Sequence, residues 1–261
     1  MSGSRRLLWL IATLLLAALF AGLGRWQLDR GQLKQRMLED FEAAVAASPQ
    51  PIGRYLDQAS LPLRADLFKD GEDAPLAYDG PSLPARVAAR GRFDVAASVI
   101  LDNQVLEGRP GAQVLTLFQP QSAARPVLVN LGWQALDRNR IAPPELPDGE
   151  VALRGLLVPP PSVGLRLGNA AWQPGAPPPL LAYLDIAALR EQMGVDLFEG
   201  QLLLDADIEF GLVRHWQALP NTIPPERHRG YAVQWFGLAL AVLATYLVLT
   251  RRRSRKRNHS Q

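Results

Sequence analysis

The sequence predicts a membrane protein in which two transmembrane α-helices flank an extracytoplasmic β-rich domain, α+β in type and built as a small barrel or a curved sheet. Three observations carry this. Residues 7–24 and 231–250 hold no charge, and a dense basic block, Arg251-Arg-Arg-Ser-Arg-Lys-Arg257, follows the second run. Between the two runs the hydrophobic period is two, the period of strands.

The chain divides accordingly. Residues 1–6 form a cytoplasmic N-terminus, 7–24 the first span, 25–230 the extracytoplasmic domain, 231–250 the second span and 251–261 a basic cytoplasmic tail. At a rise of about 1.5 Å per residue the two apolar runs extend about 27 and 30 Å, enough for the hydrocarbon core of a bilayer. Only a helix satisfies its own backbone there. A secretory signal is the rival reading of the first run, with Arg5 and Arg6 ahead of an apolar core. The apolar stretch is longer than a typical signal-peptide core, and the cleavage region reads Gly22-Leu-Gly-Arg-Trp26 rather than a clean small-x-small site, so an uncleaved anchor is expected. Six basic residues and no acid after the second span keep the tail cytoplasmic, and two spans bring the N-terminus to the same side. In a bacterial cell this means an inner (plasma) membrane protein with a periplasmic central domain.

The sequence pI of about 9.5 comes from those ends. Eight of the 28 Lys and Arg are terminal (two before the first span, six after the second), and all 25 acids lie between, so the middle has 20 bases, 25 acids and a net charge of about −5. Nucleic-acid binding is therefore excluded as a reading of the charge. The cysteine count is zero, which removes disulfides, thiol redox chemistry and Cys-ligated metals.

After Arg25 the first helix runs on or restarts. Leu33, Met37, Phe41 and Val45 form an apolar stripe that packs on its own domain or docks a partner, and Ser48-Pro-Gln-Pro51 ends it. Residues 48–84, rich in proline, are expected to be irregular or briefly helical. Val87, Ala89, Gly91 and Phe93 alternate with Arg86, Ala88, Arg90 and Arg92 as a strand with a basic outer face, and Ala97–Asn103 is a second strand. Gly108-Arg-Pro-Gly111 is read as a turn, followed by strands at Gln113–Gln119 and Pro126–Trp133, with Val127, Val129, Leu131 and Trp133 on one face. Val151–Val158 is a further strand, Pro159–Pro179 a loop, Leu184–Met193 a short helix, and Gln201–Asp207 with Phe210–Ala218 a closing strand pair.

Candidate chemistry gathers where the chain meets the membrane. His228, Tyr231 and Trp235 stand at i, i+3, i+7 on a helix. A neutral imidazole there could ligate a haem iron with aromatics over the ring; equally, Tyr and Trp can form an interfacial belt. Trp26 and Arg30 lie at the same depth after the first span. Trp26 could pack with Tyr231 and Trp235 as a neck, or each could anchor its own helix. His215, beside Trp216, is read as structural. Asp205 and Asp207 are read as solvated neighbours on a strand. Three histidines without cysteine make no multi-ligand metal site. No nucleophile elbow or phosphate loop is present, so the expectation is a protein that is not an enzyme.

Several blocks resemble one family. Leu23-Gly-Arg-Trp-Gln-Leu-Asp-Arg30 resembles the Leu-Gly-x-Trp-Gln-x-x-Arg that ends the first helix of the surfeit locus protein family of cytochrome c oxidase assembly factors. Gly91-Arg-Phe-Asp94, Gly108 to Thr116 and Val127-Leu-Val-Asn-Leu-Gly-Trp133 resemble its strand motifs, with Leu131 where the family has Arg. His228-Arg-Gly-Tyr-Ala-Val-Gln-Trp-Phe236 resembles its closing motif. The blocks occur in family order across nearly the whole chain, as in a divergent bacterial-type member. The resemblance implies an assembly factor for haem-copper oxidase that assists insertion of haem a into subunit I or stabilises that subunit. Its partners would be subunit I, other assembly factors and the bilayer. His228 becomes the candidate iron ligand, with Tyr231 and Trp235 as haem contacts and Trp26 and Arg30 as neck residues. The alternative is a membrane-anchored scaffold that binds oxidase subunits without touching haem.

Overall fold

The computed structural model describes residues 3–57, 83–135, 143–161, 171–216 and 223–258, with backbone only at residue 3 and at 253–258. The chain forms two compact units, Met1–Glu39 with Leu219–Gln261, and Asp40–Ala218.

The first unit holds most of α1 (Gly3–Ala46) and all of α4 (Pro225–Asn258). Both are long and apolar enough to cross a membrane, with 18-residue windows of mean hydropathy 2.4 and 1.9 that are only 11% buried. So low a burial separates them from the core helices of a soluble protein, whose apolar faces are covered. The first helix runs on past Arg25 without a break.

The second unit is a closed sheet. Its strands are β1 (Gln50–Pro51), β2 (Ala85–Leu106), β3 (Arg109–Pro120), β4 (Val127–Ala135), β5 (Val151–Val158), β6 (Leu180–Leu181) and β7 (Gln201–Leu204), with one-turn α2 (Gly53–Leu56) and α3 (Ile186–Met193) between them. The hydrogen-bonded order β2-β3-β4-β7-β5 returns to β2, which makes a small barrel. β4 and β7 are parallel, and the other pairs of the ring are antiparallel.

Closure depends on β2. The strands expected at 85–93 and 97–103 are one 22-residue strand. It pairs with β5 over Ala85–Gly91 and with β3 from Gly91 onward. Register shifts between Asp94 and Ser98, and between Leu101 and Gln104, bend it. Gly91 is where both partners meet. A Cβ there would collide with the Gln119 carbonyl oxygen and lie 2.7 Å from Phe118 Cζ. The β2–β3 turn is Glu107-Gly108, both at positive φ, rather than Gly108–Gly111; Arg109 already pairs with Leu106.

Two side-chain layers fill this unit. One contains Val87, Ala89, Val114, Phe118, Val127, Val129, Leu131, Leu153, Leu157, Leu202 and Leu204 together with Ile52, Tyr55 and Leu56 from the α2 turn. The other places Val99, Leu101, Leu115, Leu117 and Leu128 beneath Ile186 and Leu189 of α3. β4 is therefore buried on both faces, which hides the alternation expected of a half-exposed strand. Leu131 is fully buried, so an apolar side chain suits a position where the resemblance implies Arg.

Trp133 leaves the face it was expected to share with Val127, Val129 and Leu131. Across from Val114 and Leu115 the register skips from Gly132 to Asn130. Trp133 then stacks beneath the Arg109 guanidinium, 5.6 Å from it, and its Nε1 donates to the Gln104 carbonyl at 2.8 Å.

The closing strand pair is corrected too. β7 ends at Leu204 and pairs with β4 and β5, while Val213 makes only an isolated bridge to Trp133. Residues 205–214 coil instead around Arg214, whose guanidinium donates to the carbonyls of Phe210, Ala206 and Ile208. Gly132, at φ +119°, admits this segment: a Cβ there would sit 2.6 Å from the Val213 oxygen. Positions 217–218 of the expected strand lie outside the described residues, as do 58–82 and 162–170 of the expected irregular stretches.

Asp205 is not a solvated carboxylate. It is 8% exposed and accepts two hydrogen bonds from Arg86, at 2.8 and 2.6 Å. Burial pushes its carboxyl above the ordinary value, against the pull of the Arg86 charge. Arg86 is thus an internal partner rather than part of a solvated basic face. Asp207 pairs at 2.7 Å with Arg154, both exposed.

The end of the first helix packs on this unit through Phe41 and Ala44, against Leu156, Val158, Leu203 and Trp216. Val45, expected on that stripe, is 46% exposed.

Candidate functional site

The seam between α1 and α4 in the first unit carries the candidate site. In this unit the buried positions of α1 are Ala17, Gly24 and Gly31, seven residues apart, with the half-buried Phe20, Gln27 and Lys34 interleaved three or four residues away. On α4 Pro225, His228, Ala232 and Ala239 are buried and Trp235 is half-buried between the last two. This is the 3.5-residue period of paired helices, with small residues letting two backbones approach where no hydrophobic effect drives helices together in lipid. Phe20 and Trp235 meet with ring centroids 5.6 Å apart. A Cβ on Gly24 would touch the Phe236 ring at 2.9 Å. One turn on, Gln27 faces His228, and a Cβ on Gly31 would lie 3.2 Å from His228 Cβ and 3.4 Å from the Pro225 oxygen. Lys34 Nζ donates to the Ile223 carbonyl at 3.1 Å. The contacts run antiparallel along the pair.

His228 is the polar centre of this seam. It is 6% exposed, and its Nδ1 lies 2.7 Å from Gln27 Oε1. An amide oxygen only accepts, so a hydrogen bond here needs the proton on Nδ1, which would leave the lone pair of a neutral ring on Nε2. Nε2 is buried and has no hydrogen-bond partner among the described residues. Arg30 and Lys34, one helical turn apart on α1, are the charges that bear on His228. Neither forms an ion pair with a carboxylate among the described residues, whereas Arg25 pairs with Asp29 at 3.8 Å on the exposed side.

The five residues singled out from sequence fare differently. The seam gathers His228, Trp235 and the half-buried Arg30. Trp26 is 53% exposed and Tyr231 40% exposed, so these two turn outward and do not meet Trp235 in a shared aromatic neck. His215 is exposed and lies 3.5 Å from Glu107, outside any named strand. Gln27, Gly24, Gly31 and Lys34 escaped the sequence reading. The seven-residue spacing of Ala17, Gly24 and Gly31, matched by Ala232 and Ala239, was the signal that could have found this face.

His228 would be the residue to hold a haem iron, through Nε2. An orphaned buried nitrogen lone pair is the donor such a metal takes, and a held Nδ1–H is the usual support of a ligating histidine. Among the described residues no group of three or more His, Asp or Glu could hold a bare ion. Nε2 is covered as the helices stand.

Comparison with known proteins covers both helices and the barrel. The model of the SURF1 family matches residues 14–240. Surfeit locus protein 1 of Xenopus tropicalis is 26% identical over 256 aligned residues, spanning 92% of this chain and 73% of that protein.

Proposed function

The chain belongs to the SURF1 family, and on that premise we propose that it is a membrane-anchored assembly factor for haem-copper oxidase that receives haem a at His228 on its way to subunit I. The family is known in general for oxidase assembly. The observation that carries the finer reading is the buried Nε2 of His228, which has no partner among the described residues while Nδ1 faces Gln27. A polar atom in that state costs free energy unless it is used. Haem would supply an iron that accepts the Nε2 lone pair. The chain's own part is to bind and release: His228 donates, Gln27 orients, Trp235 and Phe20 supply apolar surface, and Arg30 with Lys34 offers positive charge to acidic groups on a ligand. The role is that of a carrier rather than an enzyme. The basic tail holds both termini in the cytoplasm, so the Asp40–Ala218 unit lies outside the inner (plasma) membrane, where it meets subunit I and other assembly factors.

One observation favours the scaffold alternative, in which the protein binds oxidase subunits without haem: Nε2 is closed off as the helices stand. An absorption spectrum of the detergent-purified protein from cells that make haem a separates the two. A haem a Soret band in the wild type that is lost in His228→Ala is the expected result. No band in either protein, with subunit I still co-purifying, overturns haem transfer and leaves the scaffold.

A further inference from the structure

We propose that Gln27 is a positioning residue that holds His228 as its Nδ1–H tautomer and so keeps the metal-binding lone pair on Nε2. This rests on the reading of His228 as a haem ligand only for its consequence in iron binding; the tautomer itself is a property of the protein without haem.

A neutral imidazole has one N–H and one lone pair, and in water the proton prefers Nε2, which leaves the lone pair on Nδ1. Here Nδ1 faces an amide oxygen at 2.7 Å, across 201 positions of sequence. The opposite tautomer would set two lone pairs against each other and leave a buried Nε2–H without an acceptor. Turning the Gln27 amide over to donate to Nδ1 would rescue the first of these faults and not the second.

The ring is also fixed at its root. Gly31 presents no side chain to His228 Cβ, and Pro225 begins the helical turn that carries the histidine. With Cβ held by backbone packing and Nδ1 by Gln27, the direction of Nε2 is set before any ligand arrives. A hydrogen bond from the distal N–H to a carbonyl oxygen also makes the other nitrogen a better donor. Trp26 and Arg30, the neighbours of Gln27 that the sequence reading favoured, make no such contact with His228 among the described residues.

The test uses the full chain in detergent micelles, labelled with 15N-histidine and carrying His215→Gln and His259→Gln, so that His228 is the single histidine left of three. Long-range couplings from the ring nitrogens to Hε1 and Hδ2 identify which nitrogen lacks a proton. The expected result is an unprotonated Nε2 in this background and in Gln27→Glu, with the proton moving to Nε2 in Gln27→Leu. Hemin titration of the same proteins should show affinity about 10- to 100-fold weaker for Gln27→Leu and retained in Gln27→Glu. An Nε2–H ring with Gln27 intact, or a ring unchanged by Gln27→Leu, overturns the tautomer assignment. A tautomer that moves while hemin affinity does not overturns the positioning role. Hemin binding absent throughout, with the tautomer moving as expected, upholds the assignment and overturns haem transfer instead.

Discussion

Replacing Arg86 with Met would leave a carboxylate without its partner in a place with little water. The Asp205 side chain is 9% exposed and that of Arg86 21%, and two hydrogen bonds join them. Removing one member of a buried pair costs about 3–5 kcal/mol, since the other charge stays desolvated. The residual exposure of Arg86 places the expected loss near the lower end, about 3 kcal/mol at neutral pH. For a unit of this size that lowers the melting temperature by about 6–12 °C.

The pH dependence gives the sharper test. The folded-state value of Asp205 is already raised by burial, and the Arg86 charge and hydrogen bonds are among the influences that lower it. An acid with a raised folded value contributes most below its unfolded value, and that contribution is lost as pH rises through the folded value. Without Arg86 the folded value climbs further. The stability deficit of Arg86→Met should therefore open as pH rises to neutrality and shrink as the solution is acidified, because a protonated Asp205 needs no counter-charge. Urea titrations of the detergent-solubilised chain, read by pulse proteolysis across that range, measure it. A deficit that is constant with pH, or that grows in acid, would refute the idea that Arg86 serves to neutralise Asp205.

Two further substitutions test the packing. Gly91→Ala places a methyl against the Gln119 carbonyl, with Phe118 Cζ 2.7 Å and Pro120 Cα 2.8 Å away. Backbone cannot yield there, so a loss of about 4 kcal/mol or more is expected, seen as loss of the protease-resistant barrel; an unchanged melting temperature would contradict the closure at β2. Gly31→Leu should separate Gln27 from His228, since even a Cβ would stand 3.2 Å from His228 Cβ. Hemin affinity should fall to the level of His228→Ala while membrane insertion persists, and wild-type affinity would show that the close approach of the helices is dispensable.

Much of the fold was legible because it is written locally. Charge-free runs at 7–24 and 231–250, and alternation in Val87, Ala89 and Gly91, report helix and strand without knowledge of neighbours. The failures share a cause. Arg86 looked like an outer-face cation because its partner Asp205 is 119 positions away. Phe210–Ala218 looked like a strand because its apolar residues alternate, yet Arg214 draws the nearby carbonyls onto itself. Trp133 looked aligned with Leu131 because the bulge between them depends on how β4 meets β3.

The same division holds at the candidate site. By itself the sequence determined that His228 opens a membrane-length helix, that a basic block follows it, and that the motifs are those of one family. Those are properties of neighbouring residues, set by periodicity and charge. Only the tertiary structure decided that Gln27 rather than Trp26 meets His228, and that Tyr231 turns away. Which residues of α1 face α4 depends on how closely the two backbones approach, and that distance is set by glycines whose partners lie at the other end of the chain.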